Sequence, residues 1–186
     1  MRIIAGDWRG RPLAALGKGD KGAHLRPTTD RVRESLFSML AGGRFGDPLT
    51  GARVLDLFAG TGALGLEALS RGAAEAVFVD DGRVAGRLLR DNITKLGARE
   101  RTTLIPRDAR RLGPNPGAPC GLVFCDPPYG KGLGEVALAE ALAGGWIASA
   151  ALVVWEESAG VTVPDGLTLR DARRYGDTTI HILEAA

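Results

Sequence analysis

The chain has 186 residues, 45% hydrophobic and 25% charged, with 24 Lys/Arg against 22 Asp/Glu. These proportions fit one compact globular domain with a small appendage, and they exclude a disordered chain, a collagen-like repeat and a disulfide scaffold. Every apolar run is interrupted well short of a membrane span, the N-terminus lacks the unbroken apolar stretch of a secretory signal, and Cys120, Cys125 and two distant His cannot assemble a zinc site. The expectation is a cytoplasmic protein with reduced thiols, no metal and no membrane contact.

The small net charge conceals an uneven distribution. Residues Met1 to Arg44 carry nine Lys/Arg against four Asp/Glu, a net +5, while the remainder is −3. A basic arm on a mildly acidic body suits an enzyme that binds a polyanion; a solvated Arg-rich surface gives the same arithmetic.

In chain order, Arg2–Ala5 and Arg11–Leu16 flank a Gly6–Gly10 turn and read as a β-hairpin. Gly17–Gly22 is polar and Gly-rich, a mobile loop. Pro27 stops any upstream helix, and Thr28 or Thr29 can cap the next one. In that helix Val32, Leu36, Met39 and Leu40 form one apolar face, and Gly42-Gly43 closes it.

From Arg53 onward short apolar strands alternate with helices: strands at 54–58, 76–79, 102–106, 122–125 and 151–155, helices at 62–70, 84–96 and 135–142. That rhythm means βαβ units and a mostly parallel sheet covered on both faces. Leu167–Arg173 and Thr178–Leu183, joined through Tyr175-Gly176-Asp177, break the rhythm as an antiparallel hairpin on the sheet edge. The expected architecture is an α/β fold with a seven-stranded, mostly parallel sheet. A basic hairpin and helix extension occupies residues 1–44, and the main domain residues 45–186.

Gly60-x-Gly62-x-x-Gly65 lies between the first strand and its helix, with Asp80 at the spacing of a ribose-binding acid. The pattern fits either NAD or S-adenosylmethionine. Asp56 separates the two. A carboxylate beside a helix N-terminus repels a pyrophosphate, but it suits a ligand bearing an ammonium and a sulfonium. Asp108, past the third strand, can accept from an adenine amino group or cap a helix.

Asp126-Pro127-Pro128-Tyr129, just past the fourth strand, is the most specific signal. Two prolines extend the backbone and remove two N–H donors, leaving the Asp126 carboxylate and the Pro127 carbonyl as acceptors. Such a pair can grip the hydrogens of an exocyclic nucleobase amine and aim its lone pair at a methyl carbon. Tyr129 can stack on the base, an interaction worth roughly 1–3 kcal/mol. The target base has to be unpaired or flipped out. No general base is assigned, because the proton becomes acidic only after methylation; Asp126 is its first acceptor. These residues alone point to a nucleic-acid amine methyltransferase and leave guanine N2 and adenine N6 both open.

The segments MRIIAGDWRGRPL, RPTTDRVRESLFSML, VLDLFAGTGALGLEALSRGA, DPPY and the closing RRYGDTTIHIL resemble the bacterial 16S rRNA guanine-N2 methyltransferases of the small subunit. The resemblance covers both termini and the core. It implies a Rossmann-like class I methyltransferase fold, S-adenosyl-L-methionine as methyl donor with S-adenosyl-L-homocysteine as product, and a guanine of 16S rRNA as substrate, presented in a partly or fully assembled small subunit. It also implies which residues do the work. Asp56, Phe58, Ala59, Gly60, Thr61 and Gly62 line the cofactor with Thr28, Asp108 and Ala109, and Asp80, where the family often has Glu, holds the ribose. Asp126, Pro127, Pro128 and Tyr129 form the amine site. Arg2, Arg9, Arg11, Arg26, Arg31, Arg33 and Lys131 are the expected RNA contacts, in a monomer. The alternatives are an adenine-N6 methyltransferase, an NAD-dependent dehydrogenase and a non-catalytic ribosome-assembly factor.

Overall fold

A computed structural model describes residues 1–16 and 28–186. Arg26, Pro27 and the Gly17–Gly22 loop lie outside the described residues. The elements run α1 (Asp30–Ala41), β1 (Arg53–Leu57), α2 (Ala63–Ser70), β2 (Glu75–Val79), α3 (Arg83–Leu96), β3 (Thr102–Ile105), β4 (Cys120–Cys125), α4 (Leu133–Ala143), β5 (Ile147–Glu157), β6 (Leu167–Tyr175) and β7 (Thr178–Ala185). Thr29 caps α1, its hydroxyl accepting the Val32 amide at 3.3 Å. Gly97, at φ +67°, closes α3 in the left-handed conformation that spares a Cβ clash.

The seven strands form one sheet in the order β3-β2-β1-β4-β5-β7-β6. β1 to β5 pair in parallel, and β7 runs antiparallel between β5 and β6. Alternating strand residues feed two cores. Val54, Phe78, Leu122 and Phe124 pack with α1, α2 and α3, whereas Leu55, Val77, Val123 and Trp155 pack with Leu138 and Ala141 of α4. Trp146 and Trp155 are core residues, as is Trp8, which lies beneath the Arg101 guanidinium at 5.0 Å.

The N-terminal hairpin forms with a single bridge, Arg2 to Pro12. The Ile3 and Leu13 amides donate across it to the Arg11 and Met1 carbonyls, both at 3.0 Å, and docking onto α2 holds the segment further. The Glu67 carboxylate accepts the amides of Ile4 (2.8 Å) and Ala5 (3.1 Å), and the Ser70 carbonyl accepts that of Asp7 (2.8 Å). Gly6 makes this approach possible, because a Cβ there would lie 1.8 Å from the Ser70 carbonyl oxygen. Ile3, Trp8 and Leu13 join the same apolar cluster as α1 and α2, so the extension shares the main core. β5 is longer than expected: a register shift between Cys120 and Leu122, with Ala150 at φ +58°, lets it start at Ile147, and pairing of Glu156 and Glu157 with Ile180 and Thr179 of β7 carries it through Glu157.

Candidate active site

The sheet has one topological switch point. From β1 the chain moves outward through β2 and β3, then returns to β4 on the opposite side of β1. A crevice opens at the carboxyl ends of strands where the order reverses. Leu57 and Cys125 are register partners there, and the Asp126 amide donates to the Leu57 carbonyl at 3.4 Å. The glycine loop after β1 and the Asp126–Tyr129 loop after β4 are therefore neighbours by ladder geometry.

Phe58, at φ +58°, turns the chain out of β1, a conformation that costs a bulky residue about 1–3 kcal/mol and clusters at ligand sites. Gly62, at φ +80°, opens α2, and a Cβ there would meet Leu89 at 2.3 Å. Asp80 splints the loop, accepting the Gly60 amide at 2.9 Å on one oxygen and the Gly82 amide at 2.8 Å on the other. Asp56, 1% exposed, accepts the Gly65 amide at 2.9 Å. That amide belongs to the first turn of α2, where a pyrophosphate would have to bind, and it is already used. Burial pushes the Asp56 carboxyl up to about 8, with the nearby Asp80 charge adding to the rise. Burial also raises Asp80, against the pull of the Gly60 and Gly82 amides. A cationic, phosphate-free nucleoside suits this cradle better than a dinucleotide does.

Across the crevice, the Thr28 hydroxyl lies 3.3 Å from Asp126 Oδ2 and 2.9 Å from Glu156 Oε2. The Tyr129 hydroxyl donates to Glu156 Oε1 and lies 3.1 Å from the Thr178 hydroxyl. Glu157 Oε1 accepts the amides of Gly130 (3.0 Å) and Ser158 (2.7 Å), fixing the end of the Asp126–Tyr129 loop to β5. Pro127 is buried, and Pro128 and Tyr129 are half-buried. Burial, and then the Glu156 charge, hold the Asp126 carboxyl well above the usual carboxylate range. Burial likewise raises the Tyr129 hydroxyl, so it stays a donor.

A family profile described as Conserved hypothetical protein 95 matches residues 1–184. The ribosomal RNA small subunit methyltransferase D of Escherichia coli K12 is 37% identical over 187 aligned residues, covering 99% of this chain and 89% of that protein. The Haemophilus influenzae methyltransferase D is 34% identical, covering 95% and 89%. The solved structure of yhhF from Escherichia coli superposes with a TM-score of 0.83 at 38% identity, covering 100% of this chain and 97% of that one. The chain belongs to the ribosomal RNA small subunit methyltransferase D family. The fold is the Rossmann-like class I methyltransferase fold, with the C-terminal antiparallel hairpin the sequence leads one to expect.

In this member of the methyltransferase D family, Asp56, Phe58 to Gly62 and Asp80 come together on one side of the switch point, and Asp126 to Tyr129 on the other. Thr28, expected at the cofactor, has its hydroxyl on the Asp126 side. Asp108 caps the 3-10 turn at Ala109–Arg111, and both its oxygens meet the Arg110 guanidinium, at 2.7 to 3.1 Å. This ion pair lowers its carboxyl. Ala109 is buried behind it.

Of the expected RNA contacts, Arg2, Arg9, Arg11, Arg31 and Lys131 are exposed. Arg33 is the correction. It is 0% exposed, donates to the Arg2 carbonyl and to Asp30 (2.9 Å), and lies 3.8 Å from the buried Glu67 carboxylate. On α1 it falls on the same side as Leu36, Phe37 and Leu40, so its charge is spent inside the protein and cannot reach a phosphate.

Sequence reasoning misses Glu157 and Thr178, which hold the Asp126–Tyr129 loop, and also Glu156 and Asn92. Glu156 ends an apolar strand in an acid, the pattern that singles out Asp56 and Asp126, but the apolar run by itself stops β5 at Trp155. Asn92 sits among Leu88, Leu89, Ile93 and Leu96 on the buried face of α3, where a polar side chain is itself a signal. It donates to the Thr61 carbonyl (2.9 Å) and exchanges hydrogen bonds with the Ala14 backbone (2.6 and 3.2 Å), tying the N-terminal arm to the glycine loop.

Proposed function

We infer that this chain transfers a methyl group from S-adenosylmethionine to the exocyclic N2 amine of a guanine in 16S rRNA, within a partly or fully assembled small subunit in the cytoplasm. The observation that carries the reading is the side-by-side placement of the Leu57 and Cys125 strand ends, which sets a donor-free amine site against a phosphate-excluding cradle. The relatives named as small subunit methyltransferases support the rRNA substrate. The choice of guanine N2 rests on the family resemblance of the sequence.

The residues present fit the cofactor. Asp80 offers acceptors to ribose hydroxyls, and Asp56 offers a carboxyl that ionises more readily beside a cation. When bound, the cofactor supplies a methyl carbon activated by a sulfonium. Asp126 and the Pro127 carbonyl grip the two N–H bonds of the amine, orienting its lone pair along the axis of attack. Tyr129, its hydroxyl held by Glu156 and Thr178, presents a fixed ring to stack on the base. Asp126 takes the proton that the methylated nitrogen sheds. Arg2, Arg9, Arg11, Arg31 and Lys131 supply the surface charge for phosphates.

Small subunits from a strain lacking the enzyme, incubated with methyl-labelled cofactor and digested to nucleosides, provide the test. Label in N2-methylguanosine at one position supports the reading. Label in N6-methyladenosine replaces guanine with adenine, and no label with intact cofactor binding points to an assembly factor.

A further inference from the structure

Thr28 stands between two acids and has a single proton to give. Its hydroxyl lies within hydrogen-bond distance of both Asp126 Oδ2 (3.3 Å) and Glu156 Oε2 (2.9 Å), and one O–H cannot donate to both. Two ionised carboxylates would leave one of these approaches as a lone-pair repulsion. The geometry is satisfied when the pair shares one proton, so that one acid donates to Thr28 while Thr28 donates to the other.

We propose that Glu156 is a positioning residue for methyl transfer, exchanging one proton with Asp126 through the Thr28 hydroxyl so that Asp126 is ionised when the target amine is gripped. The proposal rests on the functional reading above and deepens it.

The direction of exchange follows from what each acid accepts. Without substrate, Glu156 accepts the Tyr129 hydroxyl on Oε1 and the Thr28 hydroxyl on Oε2, so both its oxygens meet donors. Asp126 then holds the proton and donates it to Thr28. When an amine brings its N–H bonds to Asp126, the balance reverses. Thr28 turns its proton to Asp126, and Glu156 becomes the acid. The amine nitrogen then forms its bond to the methyl carbon, the carbon–sulfur pair departs with sulfur, and the surplus N2 proton passes to the ionised Asp126. It leaves to solvent when the methylated base does.

The neighbourhood makes double ionisation of the pair costly. Among the described residues, the titratable groups facing it are Asp56 at the end of β1, Cys125 at the end of β4, Glu157 on β5 and Tyr129 in the loop after β4. Two are acids, and the thiol and the phenol are held neutral, so sharing one proton relieves like-charge repulsion that burial would magnify. Among the described residues just before α1, Thr28 touches the amine site.

The test combines two readouts on the full-length protein. In the first, Glu156→Gln removes the second acid, so Asp126 ionises without handing over a proton: the acid limb of the rate profile moves to lower pH while affinity for S-adenosylhomocysteine is kept. Thr28→Ala leaves the Glu156 charge in place but cuts the proton path, so turnover on small subunits falls by about tenfold or more, and Thr28→Ser restores it. In the second, the Asp126 carboxyl carbon is titrated by NMR without RNA, and its midpoint falls in Glu156→Gln because a neighbouring negative charge is gone. An unmoved midpoint overturns the proposal, as does equal activity of the Thr28→Ala and Thr28→Ser proteins. Should the wild type methylate no guanine, the functional reading fails, and the NMR titration still decides whether the two acids are coupled.

Discussion

Asp56 and Gly65 are joined by a 2.9 Å hydrogen bond that ties the end of β1 to the first turn of α2, with the carboxyl almost fully enclosed. An unfolded Asp titrates near 3.9, whereas this one has been pushed up to about 8. Between those values the folded chain keeps a proton the unfolded chain has released. Its contribution to stability is therefore complete below about pH 4 and is lost as pH rises towards 8. Asp56→Asn keeps an acceptor for Gly65 and removes the ionisation. Its Tm advantage over the wild type should widen from pH 5 to pH 9 in the absence of cofactor, each kcal/mol moving Tm by about 2–4 °C in a chain of this size. A difference that stays constant with pH would mean Asp56 is ionised throughout.

Asp80 holds the loop with both carboxylate oxygens, and under the proposed function the same carboxylate meets the ribose. Asp80→Ala strips an acceptor from the Gly60 and Gly82 amides and from the ribose. Hydrogen bonds to a charged group are worth about 1.5–3 kcal/mol, so affinity for S-adenosylhomocysteine should drop by about 10- to 100-fold in calorimetry. Asp80→Glu should recover most of it.

Under the proposed function, Asp126→Ala removes one of the two acceptors for the target amine. Turnover should fall by about 10²–10³-fold, as when a single preorganised polar group is taken away from a transition state, with cofactor binding little changed. Equal falls in turnover and cofactor affinity would place Asp126 in the cofactor cradle instead.

Exposed and buried arginines should separate cleanly. Arg9→Ala with Arg11→Ala should flatten the log–log salt dependence of RNA affinity by about 0.7–0.9 for each phosphate no longer neutralised, with Tm unchanged. Arg33→Ala should do the reverse. It empties a buried site beside Glu67, which keeps Arg71 at 2.7 Å, costs about 1–3 kcal/mol of stability, and leaves the salt slope of any folded protein intact.

Much of this architecture is legible in the residues because strand, turn and helix each carry a local rule. Gly97 stops α3, Thr29 starts α1, and Asp126-Pro127-Pro128 can only extend past a strand end. Tertiary choices leave no such local mark. Arg33 has the composition of a surface residue, and only the docking of the N-terminal hairpin onto Glu67 draws it inside. Finding Glu156 requires the true end of β5, which is set by the pairing of Glu156 and Glu157 with Ile180 and Thr179 of β7, a partner distant in sequence that no periodicity reports. Thr28 has the chemistry of a capping or cofactor residue, but the neighbouring Thr29 does the capping, and Thr28 faces two acids remote in sequence.

The Leu57–Cys125 pairing reaches beyond topology. Adjacent strands lie about 4.8 Å apart, a pitch set by peptide hydrogen bonds rather than by side chains. The spacing between the roots of the glycine loop and the Asp126–Tyr129 loop is thus built into the backbone lattice. Under the proposed function, residues at the rim and in the arm can change to suit another nucleotide while the two loop roots stay as rigid as the sheet itself.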